Sequence, residues 1–195
     1  MKKKRLLKKK INKDVIEKGV NIILEGLGLD PSSEGLKDTA RRMADFYQKF
    51  FIGLSRNPRE KLKLYHADNR DEMIIAKGIH FFSMCEHHFL PFFGNVHIVY
   101  IPQNNTITGF SNLVRVVDII SRRPQIQERM TTEIAETLMD VLHPKGVLVV
   151  VEAEQLCLTM RGVAQHGVKT VSSAIRGVLR KDATREEALL LIKSN

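Results

Sequence analysis

The feature that most constrains this chain is the order of its apolar patterns from Met73 onward. Residues 73–82 and 93–101 are rich in Ile, Val and Phe and read as strands, with Pro91 between them and Pro102 closing the second. Two helical patterns follow. Ser111 stands where it could cap a helix carrying Leu113, Val114, Val117 and Ile120, which Pro124 breaks. Ile126, Met130, Ile134, Leu138 and Leu142 then recur every four residues, as one helix face does. His143-Pro144-Lys145-Gly146 is a turn. Residues 147–151 form a continuous apolar strand, and the chain is expected to stay extended through Met160. A last strand covers residues 169–179, and Thr184-Arg185-Glu186-Glu187 has the form of a capping box opening a short terminal helix. Strand pairs without a helical crossover should be antiparallel hairpins, so this order defines an α+β chain.

Before this body lies a helical region. Val15, Ile16, Val20, Ile22, Ile23 and Leu27 suit a helix over 14–27, and the Pro- and Ser-containing stretch 29–35 reads as a loop. Met43, Phe46, Tyr47, Phe50 and Phe51 share one face of a second helix, which Gly53 could end in the left-handed conformation. The expected organisation is a basic tail over 1–13, a helical region over 14–65 and the strand-rich body over 66–195.

The net charge of +9 belongs to the tail. Residues 1–13 hold eight of the 31 basic side chains and no acid, which leaves 23 basic against 22 acidic groups in the rest. A like-charged run of this kind is usually a solvated segment, so nucleic acid is not the expected partner. No run of about 18 apolar residues exists, so no membrane-spanning helix is expected, and the basic N-terminus lacks the apolar core of a secretory signal. Two cysteines 72 positions apart are no disulfide framework. A cytoplasmic chain is the expectation.

The densest chemistry is Ser83-Met84-Cys85-Glu86-His87-His88. Cys85 and His88 have a spacing that lets two ligands reach one metal ion from a tight turn. Were Cys157 to join them, three protein ligands would leave a fourth position for water, which is the catalytic arrangement. The residues alone leave open two inert core cysteines, or a site closed by His87. Arg115, Arg122, Arg123, Arg129 and Arg161 are candidates for holding phosphates, and Glu128 for two donors on a guanine edge.

Four stretches together resemble GTP cyclohydrolase I. They are Ser83-Met84-Cys85-Glu86-His87-His88-Phe89-Leu90-Pro91-Phe92-Phe93-Gly94, Arg123-Pro124-Gln125-Ile126-Gln127-Glu128-Arg129, Cys157-Leu158-Thr159-Met160-Arg161-Gly162-Val163 and Thr170-Val171-Ser172-Ser173-Ala174. They follow the family's order and spacing, and the resemblance runs from about residue 14 to the C-terminus. It implies the tunnelling fold, a four-stranded antiparallel sheet with two helices (ββααββ), assembled into a homodecamer with active sites at subunit interfaces. It implies hydrolytic opening of the GTP imidazole ring, loss of formate and closure to 7,8-dihydroneopterin triphosphate, the chemistry of pterin and tetrahydrofolate biosynthesis. It implies zinc on Cys85, His88 and Cys157, proton transfer by His87, and guanine recognition by Glu128 with Gln127 lining that pocket. Ser111, Arg115 and Arg161 would hold the triphosphate or ribose.

The chain departs from that family pattern at two site positions. Gln155 stands where members usually have a second histidine, and Asn112 where they usually have a lysine after the active-site serine. Glutamine cannot deliver a proton and asparagine cannot neutralise phosphate. His166, in the loop after Gly162, is one place from which a proton could come instead. The departures keep two other readings open. One is a divergent paralogue that stops at a ring-opened formamide intermediate or uses a different purine nucleotide. The other is a non-enzymatic, ring-forming nucleotide binder. The nitrile-reductase branch of the fold is disfavoured, because the motif of its reactive cysteine is not found.

Overall fold

The computed structural model describes residues 11–68, 72–162 and 164–194. They form two compact units that divide between Arg56 and Asn57. Of the basic tail, residues 1–10 lie outside the described residues.

The first unit is a helix pair. Helix α1 (Lys13–Gly26) starts at Asn12, whose side chain accepts a hydrogen bond from the Val15 amide and so satisfies one free donor of the first turn. Helix α2 (Thr39–Phe50) packs Ala40 against Val20 and Leu24 of α1. The stripe read from the sequence is only partly buried: Phe51 is buried and Met43 packs against Val20, Leu24 and Ala40. Ala40 and Ala44 are buried too, whereas Phe46 is about half exposed, its ring tilted against those of Tyr47 and Phe50. Gly53 does not end α2 in the left-handed region: it sits in a short 3-10 turn over Phe51–Leu54.

The second unit is built on a five-stranded sheet. Its strands are β2 (Ile74–Cys85), β3 (Pro91–Ile101), β6 (Gly146–Gln155), β7 (Lys169–Gly177) and the two-residue β5 (Pro124–Gln125), in the order β5-β2-β3-β6-β7. The four long strands pair antiparallel, as the sequence requires, and β5 adds a parallel edge beside the end of β2. Strands β1 (Leu64–His66) and β4 (Thr106–Thr108) form a separate small ladder. The ββααββ order of a tunnelling-fold unit is therefore present, with β5 as an addition.

Helices α3 (Phe110–Ser121) and α4 (Gln127–Leu142) cover one face of the sheet. Met130, Ile134, Leu138 and Leu142 are the buried stripe read from the sequence, and they meet Leu113, Val117 and Ile120 of α3 over Val96, Ile98, Val147 and Val149. Truncating such a side chain typically costs about 2–5 kcal/mol. On the opposite face Val99, Leu148 and Val150 pack on Leu179 and on Ala188 of helix α6 (Asp182–Lys193). Coverage on both faces explains why 147–151 is apolar without alternation. Gly94 lies where β3 crosses β6, and a Cβ there would stand 2.0 Å from the Glu152 carbonyl oxygen.

Three local expectations are corrected. Helix α3 starts after Gly109, so Ser111 lies inside its first turn and caps nothing. Helix α6 starts after Lys181, and the Thr184 hydroxyl donates back to the carbonyls of Val178 and Lys181 instead of closing a capping box. The chain does not stay extended through Met160. It leaves β6 at Gln155 and winds into a single turn, α5 (Leu156–Thr159).

Candidate active site

Cys85 is the last residue of β2, and the chain reverses directly after it. The Phe89 amide donates to the Cys85 carbonyl at 2.9 Å, and the Cys85 amide donates to the Leu90 carbonyl at 2.8 Å. Phe89 adopts φ 56°, in the left-handed region that bulky residues seldom use. The reversal brings His88 Nδ1 to 3.8 Å from Cys85 Sγ. Cys157 comes from the neighbouring part of the sheet. Pairing of Phe92 with Gln155 ends β6 beside the start of β3, and α5 then carries Cys157 to the pair. The ligand atoms of Cys85, His88 and Cys157 all lie within 4.8 Å of one another.

These distances suit a metal. Bonds of about 2.1–2.3 Å in a tetrahedron put donor atoms about 3.6–3.8 Å apart. Desolvation, then the positive charges of Arg161 and His87, hold His88 below the usual imidazole range, which favours its neutral, ligating form. Desolvation, then neighbouring Cys85, push the Cys157 thiol up. Two adjacent sulfurs resist ionising together unless a cation lies between them, so a metal would relieve that opposition. His87 is exposed, its ring 6.1 Å from that of His88 and tilted by 80°, and it is not one of the three converging ligands.

Around this cluster lies an amide network. Gln155 Nε2 donates to Gln127 Oε1 at 2.7 Å, and Gln155 Oε1 faces the Cys157 thiol, 3.9 Å from Sγ. Gln127 is buried at the start of α4. Its own amide donates to the carbonyls of Val151 and Thr170, both at 3.1 Å, and its oxygen also accepts from the Thr170 hydroxyl at 2.6 Å. Glu128, the next residue, is exposed in the first turn of α4, where the helix dipole favours a carboxylate. Arg161 follows α5 and is exposed, and its charge acts on both His88 and Cys157.

The remaining candidates sit on α3. Ser111 and Arg115 are exposed. Asn112 is turned inward and only 3% exposed: its amide donates to Thr108 Oγ1 at 3.2 Å, and its oxygen accepts from Arg115 at 3.4 Å. Among the described residues, none of these three hydrogen-bonds the cysteine–histidine cluster. His166 lies in an exposed turn. The arginines read as phosphate candidates divide. Arg122 pairs with Asp118, Arg123 with Glu133 and Arg129 with Glu86, whereas Arg115 and Arg161 have no carboxylate partner among the described residues. Residue type does not single out Thr170, although it lies inside the motifs quoted above, and gives Glu86 no role beyond its place in the densest run.

An antiparallel sheet backed by two helices, with a cysteine–histidine–cysteine cluster at one end, defines a candidate metal-dependent enzyme. Comparison with known proteins names the family. The family model for GTP cyclohydrolase I matches residues 16–193. The chain is 50% identical over 183 residues to GTP cyclohydrolase 1 of Carboxydothermus hydrogenoformans, covering 93% of this chain and 95% of that one. It is 50% identical over 187 residues to GTP cyclohydrolase 1 of Bacillus mycoides, covering 95% and 99%. Among solved structures, the apo form of the archaeosine synthase QueF-like aligns with a TM-score of 0.41 and 17% identity, over 54% of this chain and 93% of that one. The chain belongs to the GTP cyclohydrolase I family.

Proposed function

We propose that this chain is a zinc-dependent GTP cyclohydrolase I, opening the imidazole ring of GTP, releasing formate and forming 7,8-dihydroneopterin triphosphate. The observation that carries the reading is the convergence of Cys85, His88 and Cys157, in a chain whose relatives of about 50% identity are named GTP cyclohydrolase 1. Zinc there would supply the Lewis acidity that makes water a nucleophile near neutral pH. His87, exposed beside the cluster, donates a proton to the purine as charge develops on the ring. Glu128 accepts from guanine N1–H and the 2-amino group, a pair adenine does not offer. Arg161 and Arg115, which have no carboxylate partner among the described residues, hold the triphosphate with Ser111. Asn112 acts through Arg115, and Gln127 through Gln155.

The same reading assembles the chain into a homo-oligomer, expected to be a decamer, with sites completed at subunit interfaces. Phe82 on β2 and Val171 on β7 support it: each is more than 60% exposed, as a sheet face awaiting a partner would be. No helix among the described residues is long and apolar enough to cross a membrane, and the proposed location is the cytoplasm.

One observation favours a second reading, in which the reaction stops at the ring-opened formamide. One Gln155 amide hydrogen is donated to Gln127, and neither the amide nor the carbonyl of a glutamine can deliver a proton. Incubation of zinc-loaded protein with GTP separates the readings. A pterin that fluoresces after oxidation supports the first, and loss of purine absorbance without pterin supports the second. No reaction overturns both.

A further inference from the structure

We infer that the Glu86–Arg129 pair is a positioning brace that holds the metal-binding turn in register with the start of α4. The inference rests on the metal reading above. Glu86 lies between Cys85 and the two histidines, and its backbone amide donates to the Gln125 carbonyl at 3.0 Å, extending the pairing of β2 with β5. Its carboxylate is gripped by Arg129 through both terminal nitrogens, one of them 3.0 Å from Oε1. Arg129 Nε donates to Gln125 Oε1 at 2.9 Å, and a terminal nitrogen also reaches the Pro124 carbonyl at 3.2 Å. Gln125 is fully buried, and its own amide donates to the Ile120 carbonyl at 3.0 Å and to Glu133 of α4 at 3.1 Å.

The guanidinium is therefore engaged on every nitrogen, seated on a buried amide, with its fork aimed at one carboxylate. A fork fixes both the position and the plane of its partner, which an ammonium cannot do. Arg129 follows Gln127 and Glu128 directly on α4, and Glu86 precedes His87 and His88 directly on the turn. One ion pair thus joins the residues that would hold the metal to those that would read the base. An ion pair still about a third exposed contributes little to global stability, so the consequence to look for is geometric.

The experiment is zinc release from the full-length, zinc-loaded protein into a colorimetric chelator, with melting temperature recorded alongside. Glu86→Gln keeps the shape and removes the charge, whereas Arg129→Lys keeps the charge and removes the fork. Each is expected to speed zinc release about tenfold, the low side of the range for groups supporting metal ligands. The double variant should release no faster than either single one, because both act through the same contact. Singles within twofold of the parent, effects that multiply in the double variant, or a lowered melting temperature with unchanged release would each overturn the brace while leaving the metal reading standing. A parent protein that holds no stoichiometric zinc would overturn the metal reading, and the brace with it.

Discussion

The two ends of the candidate site are built differently. At the metal end, three short side chains converge within one chain, each placed by strand pairing: Cys85 by the end of β2, His88 by the turn after it, and Cys157 by the turn after β6. At the proposed anion end, Ser111, Arg115 and Arg161 are exposed, and Arg115 is steadied by the buried Asn112. Short ligands must be positioned by backbone before any ion arrives. Long cationic side chains can wait in solvent and take their geometry from the bound anion. The metal end should therefore fail abruptly on substitution, and the anion end by degrees.

The largest effect is expected from the metal ligands. Cys85→Ser or Cys157→Ser should remove stoichiometric zinc and lower GTP ring opening by about a thousandfold or more, since Lewis-acid stabilisation is worth several kcal/mol. Metal analysis and loss of purine absorbance report both. Next is Glu128→Ala, which should weaken GTP and close the gap between GTP and ATP by about a hundredfold or more, because a site built for two donors discriminates strongly. If the parent protein already binds the two alike, Glu128 is not the base reader.

Gln155 sits beside the metal end, donating to Gln127 and facing the Cys157 thiol. Gln155→His should raise pterin formation about tenfold, the low side of the range for an added acid–base group. An unchanged or lowered rate would mean that its bond to Gln127 matters more than the missing proton donor. The smallest effect belongs to Asn112→Ala. Losing one hydrogen bond to Arg115 should raise the apparent KM for GTP about two- to tenfold and leave kcat nearly intact. A fall in kcat alone would place Asn112 with the chemistry instead.

The sequence made the ββααββ order legible because each long element carries its own period: four-residue spacing from Met130 to Leu142, and unbroken apolar residues from 147 to 151. It could not show β5, which is two residues long and exists only because Met84 and Cys85 pair with Pro124 and Gln125. The turn at Cys157 was read as extended, since Leu156-Cys157-Leu158-Thr159 has no helical signature and its winding follows from the end of β6. The three metal-ligand candidates were visible as residue types, and their convergence needed the register of β3 with β6. The sequence shows Asn112 only as a site position where the family usually has a lysine. Its inward turn onto Thr108 depends on where β4 ends.

X-ray absorption at the zinc edge of the metal-loaded protein tests the central claim most directly. The account requires two sulfur neighbours at about 2.3 Å, one imidazole nitrogen at about 2.0–2.1 Å, and a fourth light atom from solvent. A spectrum showing two imidazoles, with His87 closing the site, or fewer than two sulfurs, would contradict it.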